Sequence, residues 1–239
     1  MPESLKAIAK MIDHSLLHPT LTDQDLIAGC ELAKKYDVAS VCIKPYAIPL
    51  AREQLKGSDV FVSTVIGFPH GSHKVEVKVH EAELALNDGA IELDMVINIG
   101  KVLGKDWDYI HQELKAMNDL AVSRGALLKV IFETDFVAAD ELRIKLCHIC
   151  SEIGVAFVKT STGYNYVKQA DGQMAYLGAS DPVLNLMRRE CPISVQVKAA
   201  GKVKTLDDVL RVRLLGVTRV GATTTADILE EAKQRGFTD

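Results

Sequence analysis

Eight short apolar segments alternate with longer segments of helical period along this chain of 239 residues. The segments suited to β-strands are 11–15, 39–43, 61–66, 91–97, 127–132, 156–160, 194–199 and 218–221. Several of them are continuous apolar runs, which is the pattern of parallel strands buried on both faces. Helical periodicity predicts helices over 73–87, 107–123, 140–153, 180–189 and 206–215.

This alternation predicts an α/β fold, a single-domain (β/α)8 TIM barrel over residues 1–239. An α/β barrel typically needs roughly 250 residues, so one barrel would use nearly the whole chain. An open doubly wound sheet is the rival architecture, but no G-x-G-x-x-G motif follows the first strand segment. No linker, low-complexity tract or shift in composition suggests a second domain.

Composition and charge narrow the classes of function. The formal net charge of −4 argues against a large nucleic-acid-binding surface, and no apolar run is long enough to span a bilayer. The N-terminal stretch lacks the unbroken apolar core of a signal peptide. We therefore expect a cytoplasmic protein with neither nucleic-acid nor membrane partners.

The chain has five scattered cysteines, an odd number that does not make a disulfide framework. Cys147 and Cys150 form a C-x-x-C motif within a predicted helix, without a second pair to complete a zinc site. We interpret this pair as helix packing rather than as a redox or metal site.

Charged side chains stand inside three of the apolar strand segments. Asp94 lies in "IELDMVI", Lys159 in "AFVKTSTG" and Lys198 in "SVQVKAAG". The C-terminal ends of barrel strands converge on one mouth, so residues far apart in sequence can meet there. One charged residue in a strand can be accidental, but three of complementary sign predict a site.

A buried ammonium group is costly unless its pKa falls or it takes a partner. If Asp94 pairs with Lys198, the remaining positive charge and the poor solvation press Lys159 toward its neutral amine. A neutral amine at pH 7 attacks carbonyl carbons and forms a Schiff base. The alternative is that both lysines extend to solvent at the strand ends and Asp94 is a structural ion-pair partner.

Lys129 and Glu133, in "LKVIFETDF", are a further pair on one strand segment. Side chains alternate between the two faces of a strand, so residues 129 and 133 would lie on the same face. We expect them to support the catalytic residues without taking part in the reaction. The alternative is an ordinary ion pair between the two.

The loops "KAAGKVKT" and "RVGATTTADIL" follow the last two strand segments. In each, a glycine comes at the end of the strand, and Thr205 or one of residues 223–225 then opens a helix. Glycine lets the backbone approach a ligand, and free N–H groups at a helix start favour an anion. Because barrels often bind phosphate at these loops, we predict a phosphate site; simple strand termination and helix capping is the alternative.

Motifs along most of the chain resemble those of the deoxyribose-phosphate aldolases. They include "IDHSLLHPT", "ASVCIKPYAIPLA", "STVIGFPHG", "IELDMVINIG", "LKVIFET", "FVKTSTG", "VKAAGKVKT" and "RVGATTT", and they run from about residue 11 to residue 226 in the order of the family. The resemblance implies a class I aldolase on a (β/α)8 barrel that works without a metal or other cofactor. It implies small-molecule substrates, namely 2-deoxy-D-ribose 5-phosphate, acetaldehyde and D-glyceraldehyde 3-phosphate.

The resemblance also assigns roles by position. Lys159 matches the family's Schiff-base lysine, Lys198 its second active-site lysine and Asp94 its proton-relay aspartate. Cys42, in "VCIKP", matches a cysteine of the mouth that the mechanism does not require. The positions that match the phosphate pocket are Gly163, Gly201, Gly221, Thr223 and Thr224.

The chain departs from the family pattern at two places near this site. Lys202 stands where the family usually has a second glycine, so we expect either a strained backbone there or a contact between its charge and the phosphate. Residues 164–177 are longer than the usual connection, and we expect a long loop or irregular helix over 164–178 at the mouth. We also expect a homo-oligomer, since dimers are common among cytosolic enzymes.

Two other functions stay open at this point. His70, His73 and His80 could supply the ligands of a metal-dependent aldolase or lyase, although their spacing favours one histidine in a loop and two on a helix surface. A barrel that binds sugar phosphates as a sensor is the non-enzymatic alternative, with Lys202 marking the loss of catalysis.

Overall fold

A computed structural model describes residues 4–168 and 171–238 of the chain. Its strands, in chain order, are β1 Ile12–Leu16, β2 Ser40–Ile43, β3 Phe61–Ile66, β4 Glu92–Val96, β5 Leu127–Ile131, β6 Phe157–Lys159, β7 Val167–Lys168, β8 Met174–Ala175, β9 Gln196–Ala200 and β10 Arg219–Ala222. Its helices are α1 Leu5–Ala9, α2 Asp23–Lys35, α3 Ile48–Gln54, α4 Val75–Asp88, α5 Ile99–Leu103, α6 Trp107–Ser123, α7 Asp140–Ile153, α8 Asp181–Glu190, α9 Leu206–Leu214 and α10 Thr225–Gln234.

The strands other than β7 and β8 form one closed parallel barrel in the order β1-β10-β9-β6-β5-β4-β3-β2. Closure depends on the pairing of the first strand with the last, in which Asp13 lies opposite Gly221. This pairing leaves no open edge and rules out the doubly wound sheet. The predicted (β/α)8 barrel is therefore confirmed.

The sequence predictions differ from the structure mainly at short elements. Helices α1, α3 and α5 were not predicted; α1 and α5 are only five residues long, too short for periodicity to reveal. The expectation of a long loop or irregular helix over 164–178 is wrong in part, because β7 and β8 form a small antiparallel pair there. Residues 169 and 170, which fall within this segment, lie outside the described residues.

The helix boundaries follow from capping at both ends. Thr22 caps α2 in a reciprocal capping box with Asp25, and Thr205 caps α9 in the same way with Asp208. At the other end, α4 stops at Gly89 and α7 at Gly154, both in the left-handed conformation that glycine adopts without steric cost. These caps turn the chain from each outer helix back toward the barrel.

Strand residues divide between an apolar outside and a polar inside. Leu93 and Val130 belong to the large apolar cluster that packs the strands against the helices. Asp94, the neighbour of Leu93, instead contacts Lys198 of β9, although two strands separate β4 from β9 in the sheet. That contact is possible only through the interior, so the barrel holds its charged residues inside and its main core outside.

The five cysteines are free and buried. Cys147 and Cys150 lie on α7, as predicted, with both side chains fully buried. Within residues 4–168 and 171–238, no helix has the length and apolar character needed to cross a membrane.

Candidate active site

Three strands bring the predicted site residues Asp94, Lys159 and Lys198 together at the mouth of the barrel. Lys159 ends β6, and in the register of the sheet it lies directly opposite Lys198 of β9. One carboxylate oxygen of Asp94, Oδ2, lies 2.7 Å from the Nζ atoms of both lysines. All three side chains are almost completely buried, so the alternative in which both lysines extend to solvent is wrong.

Asp94 contacts more lysines than the sequence suggested. We expected it to pair with Lys198 alone, but Lys129 also lies 3.0 Å from its other oxygen, Oδ1. The hydroxyl of Ser63 donates a further hydrogen bond to Oδ1 over 3.3 Å. Asp94 is thus an ion-pair partner of three lysines rather than of one.

A layer of charged residues below the mouth was missed in the sequence. Asp13 lies 2.5 Å from Lys198, 3.0 Å from Lys129 and 2.6 Å from Arg219. Glu92 lies 2.6 Å from Lys129 and 3.2 Å from Arg219. A signal was present, because Glu92 stands two residues before Asp94 and therefore shares its strand face.

The connected ion pairs of the described residues join three carboxylates to four bases. Lys129 contacts all three carboxylates, and Lys198 and Arg219 contact two each. Within the described part of the chain, Lys159 contacts only one carboxylate, that of Asp94. With one base in excess in a buried network, the proton of the least compensated base is the one that is most easily lost.

The pKa values of the two mouth lysines move in opposite directions. Burial lowers the pKa of Lys159, the charge of Lys198 lowers it further, and the attraction of Asp94 does not restore it. Burial also acts to lower the pKa of Lys198, but Asp13 and Asp94 outweigh it and raise that pKa above its ordinary value. Lys198 therefore stays an ammonium group, while Lys159 loses its proton more readily than an ordinary lysine does.

The three lysines likewise keep Asp94 ionised. Burial alone would raise the pKa of its carboxyl group, but Lys129, Lys159 and Lys198 hold the pKa well below its ordinary value. Burial works against the charge of Lys129 as well, and Asp13, Asp94 and Glu92 raise its pKa well above the ordinary value. Neither group changes its charge near neutral pH.

Glu133 does not pair with Lys129 and does not lie on the strand. β5 ends at Ile131, and Glu133 adopts a left-handed backbone with φ 52°, so the predicted shared strand face is wrong. Its carboxylate accepts hydrogen bonds from the amide and hydroxyl of Thr162 and from Nδ2 of Asn165. Glu133 thereby supports the loop that follows Lys159, a contact that was not foreseen.

A cavity of about 410 Å³ opens above these residues. Lys159 and Lys198 lie at its base, and Tyr164, Tyr166 and Tyr176 form part of its wall. The predicted phosphate residues that line it are Gly163, Gly201, Gly221 and Thr223. Thr224 does not line the cavity; its hydroxyl donates to the carbonyl oxygen of Lys204 over 2.7 Å.

Cys42 lies beside the lysines on an apolar part of the cavity wall. It packs in a small cluster with Leu17 and Val65, against which Phe68 and Tyr164 also pack. Burial and the nearby charge of Asp94 raise the pKa of the Cys42 thiol, although the lysines oppose this. The thiol is therefore neutral, and its visible role is to line the wall.

The histidines considered as metal ligands lie apart from this cavity. His70, His73 and His80 are exposed, and His80 lies 3.7 Å from Glu83 on the surface of α4. Across residues 4–168 and 171–238, no three side chains of His, Cys, Asp or Glu are grouped so that they could hold a metal ion.

Comparisons with known proteins agree with this fold. The model of the DeoC/LacD family aldolases matches residues 7–228. A deoxyribose-phosphate aldolase from Rhodopirellula baltica is 47% identical over 228 residues, covering 95% of this chain and 90% of that protein. One from Caldanaerobacter subterraneus is 41% identical over 236 residues, covering 98% and 97%. The solved structure of the Aeropyrum pernix deoxyribose phosphate aldolase superposes with a TM-score of 0.84 at 28% identity, covering 97% and 93%.

The closed barrel and these relatives make the protein an aldolase, an enzyme of the lyase class. Within that class the chain belongs to the DeoC/LacD family of aldolases, whose model spans most of its length.

Proposed function

We propose that this aldolase reversibly cleaves 2-deoxy-D-ribose 5-phosphate into acetaldehyde and D-glyceraldehyde 3-phosphate through a Schiff base on Lys159. One observation carries the proposal: Lys159 is a buried base that contacts a single carboxylate and lies opposite the ammonium group of Lys198. That environment favours the neutral amine, which is the form that attacks a carbonyl carbon. The similar proteins named deoxyribose-phosphate aldolase supply the substrate.

In the direction of synthesis, the Lys159 amine attacks the carbonyl carbon of acetaldehyde and forms a carbinolamine. Loss of water then gives a protonated imine, which withdraws electrons from the neighbouring methyl group. Removal of a methyl proton leaves an enamine, whose terminal carbon attacks the aldehyde carbon of glyceraldehyde 3-phosphate. Addition of water to the new imine releases the sugar phosphate and restores the amine of Lys159.

Asp94 and Lys198 act as the proton relay for these steps. Oδ2 of Asp94 lies 2.7 Å from Nζ of Lys159, so protons exchanged at that nitrogen have an acceptor within hydrogen-bond distance. Lys198 donates to the same oxygen over 2.7 Å and supplies a second proton position. General acid–base catalysis by positioned groups contributes about 10²–10⁴-fold to a rate.

The glycine-bordered loops hold the phosphate group at the far end of the cavity. Gly163, Gly201 and Gly221 line it without side chains, so main-chain N–H groups can approach an anion closely. The hydroxyl of Thr223 adds a donor on the same wall, and Thr224 fixes the loop through its bond to Lys204. Binding the phosphate there aligns the aldehyde carbon with the enamine.

Reduction of the imine tests the proposal directly. The protein is incubated with acetaldehyde and sodium borohydride, and the modified peptide is identified by mass spectrometry. We expect an N-ethyl group on Lys159 in the wild type and in Lys145→Gln, a control on the exposed face of α7. Lys159→Leu should give no adduct and no cleavage of 2-deoxy-D-ribose 5-phosphate.

An adduct on another lysine, or cleavage that persists in Lys159→Leu, would overturn the mechanism. Binding of sugar phosphate by a wild-type protein that forms no adduct and cleaves nothing would instead indicate the sensor. Cleavage lost on treatment with chelators and restored by a divalent metal would support the metal-dependent alternative.

We propose further that the protein works as a homo-oligomer. The related Aeropyrum pernix protein is described as a tetramer, and α4 exposes Val77 and Leu84 on one helical face. Sedimentation velocity over a hundredfold range of concentration tests this, with a monomer at every concentration as the contrary result.

A further inference from the structure

The segment that carries β7 and β8 packs directly against the loop after β9. The amide of Ala179 donates to the carbonyl oxygen of Gly201 over 3.1 Å. A side chain at Gly178 would come within 2.7 Å of the same oxygen, so the two backbones are in close contact. The carboxylate of Asp135 holds this segment by accepting hydrogen bonds from the amides of Leu177, 2.8 Å, and Gly178, 3.1 Å.

This contact places Tyr176 under Lys202. The Nζ atom of Lys202 lies 5.5 Å from the centre of the Tyr176 ring, within the range of a cation–π interaction. The edge of Tyr176 in turn meets the ring of Tyr166, with 5.3 Å between ring centres. All three side chains line the cavity that contains Lys159.

Lys202 also has an unusual backbone. Its φ of 62° lies in the left-handed region, where a residue with a side chain is strained relative to the right-handed region. Backbone strain of this kind persists where the surrounding structure enforces it, and it clusters at ligand sites. The expectation of strain at this position is therefore met, and it calls for a compensating role of the side chain.

The cavity rim near Lys202 has positive charge that is not neutralised. Neither Lys202 nor Lys204 forms an ion pair with any carboxylate of the described residues. Asp13 is the one carboxylate that lines the cavity among the described residues, and it is compensated by Lys129, Lys198 and Arg219. A sugar phosphate carries about two negative charges near pH 7, so it complements this rim.

We propose that Lys202, held over the ring of Tyr176, binds the substrate phosphate and sets the preference of the enzyme for phosphorylated over unphosphorylated sugars. This inference rests on the proposed cleavage of 2-deoxy-D-ribose 5-phosphate. The main-chain amides of the glycine loops position the anion. The Lys202 ammonium group adds an ionic attraction to the phosphate, which an unphosphorylated sugar does not have. Tyr176 is a positioning residue, because it acts through Lys202.

The test compares two substrates, 2-deoxy-D-ribose 5-phosphate and 2-deoxy-D-ribose, in variants at position 202. Lys202→Gln should lower kcat/KM for the phosphorylated sugar about tenfold, mainly through KM, and leave the value for the unphosphorylated sugar unchanged. Lys202→Gly should do the same while relieving the backbone, so poor folding cannot explain its loss. Lys202→Arg should keep most of the preference for the phosphorylated sugar, and Lys145→Gln should keep all of it.

A double-mutant cycle tests the role of the ring. Tyr176→Leu should lower kcat/KM for the phosphorylated sugar about threefold when Lys202 is present and have no further effect in Lys202→Gln. Tyr176→Phe keeps the ring and should resemble the wild type. Higher ionic strength should reduce the preference for the phosphorylated sugar more in the wild type than in Lys202→Gln, since salt screens the attraction between the exposed Lys202 and the phosphate.

Equal losses for both sugars, or no loss in Lys202→Gln and Lys202→Gly, would overturn the inference. Additive effects of the two substitutions would remove the role of Tyr176. The borohydride adduct on Lys159 separates these outcomes from failure of the proposed function: Lys202 variants should form it at the wild-type rate, because acetaldehyde carries no phosphate.

Discussion

Lys159 and Lys198 are direct neighbours across the parallel pair of β6 and β9, and both reach the same oxygen of Asp94. Two ammonium groups side by side in a buried layer repel each other, so the site favours one charged and one neutral lysine. Asp13 lies 2.5 Å from Lys198 and contacts no other mouth lysine in the described residues, which places the charge on Lys198. The asymmetry between the two lysines therefore originates one layer below the mouth.

The first prediction concerns the pH dependence of imine formation. Lys198 lowers the pKa of Lys159, and only the neutral amine attacks acetaldehyde, so Lys198→Met should raise that pKa. The acid limb of the pH profile of borohydride trapping should move about one unit to higher pH. Lys145→Gln should leave the profile unchanged, and a limb that moves to lower pH would contradict the assignment.

The second prediction concerns the stability that Asp13 contributes. Asp13→Asn removes a buried carboxylate from three bases, so the free energy of unfolding at pH 7 should fall by about 3–5 kcal/mol. Asp119→Asn, which removes an exposed ion pair with Lys115, should cost about 0.5 kcal/mol or less.

The stability effect of Asp13 should depend on pH in a defined direction. Burial alone would raise the pKa of folded Asp13, but Lys129, Lys198 and Arg219 hold it far below its unfolded value of 3.8. The stabilisation is thus complete above that value and is lost as the pH falls through the folded pKa. Urea unfolding at pH 7 and pH 3 should show a smaller difference between wild type and Asp13→Asn at pH 3; a larger one would refute this account.

The third prediction concerns a second buried ion pair, between α4 and α6. Nζ of Lys78 lies 2.7 Å from both Glu113 and the carbonyl oxygen of Val96, and Glu113 accepts from the amide of Asn98. Glu113→Leu should lower the free energy of unfolding by about 3–5 kcal/mol, because it strands a buried ammonium group.

Adding Lys78→Met to Glu113→Leu should restore part of that loss. The double variant has no buried charge between α4 and α6, but the carbonyl of Val96 and the amide of Asn98 lose their hydrogen bonds to Lys78 and Glu113, at about 1–3 kcal/mol each. Chemical denaturation of the single and double variants measures the coupling between the two residues. Additive losses would show that the pair does not act as a unit.

The fourth prediction concerns the loop after Lys159. Glu133→Leu removes the hydrogen bonds that hold Thr162 and Asn165, so the loop that contains Gly163 should lose its position. We expect KM for 2-deoxy-D-ribose 5-phosphate to rise about tenfold while acetaldehyde trapping stays within twofold of the wild type. Thr162→Ser keeps the hydroxyl and should behave as the wild type; an equal loss of trapping would place Glu133 in the chemical step.

The sequence was most informative where a residue type conflicts with its surroundings. Asp94, Lys159 and Lys198 stood out because each is charged within an apolar strand, and the structure brings all three together. Glu92 and Arg219 have the same property, but each is the first residue of its strand, at the end away from the mouth, and neither was predicted as a site residue. The hydrogen bonds of Glu133 could not be anticipated, since they depend on a left-handed turn after β5.

The alternation of the barrel strands with the longer helices, and hence the barrel, could be predicted from the sequence alone, because apolar periodicity is a local property of the chain. The distribution of charge inside the barrel was decided only by the tertiary structure. Which carboxylate meets which lysine depends on the register of eight strands that close on one another, and register is a relationship between distant segments. For the same reason, only the folded chain shows that Lys159 has one carboxylate partner while Lys198 has two.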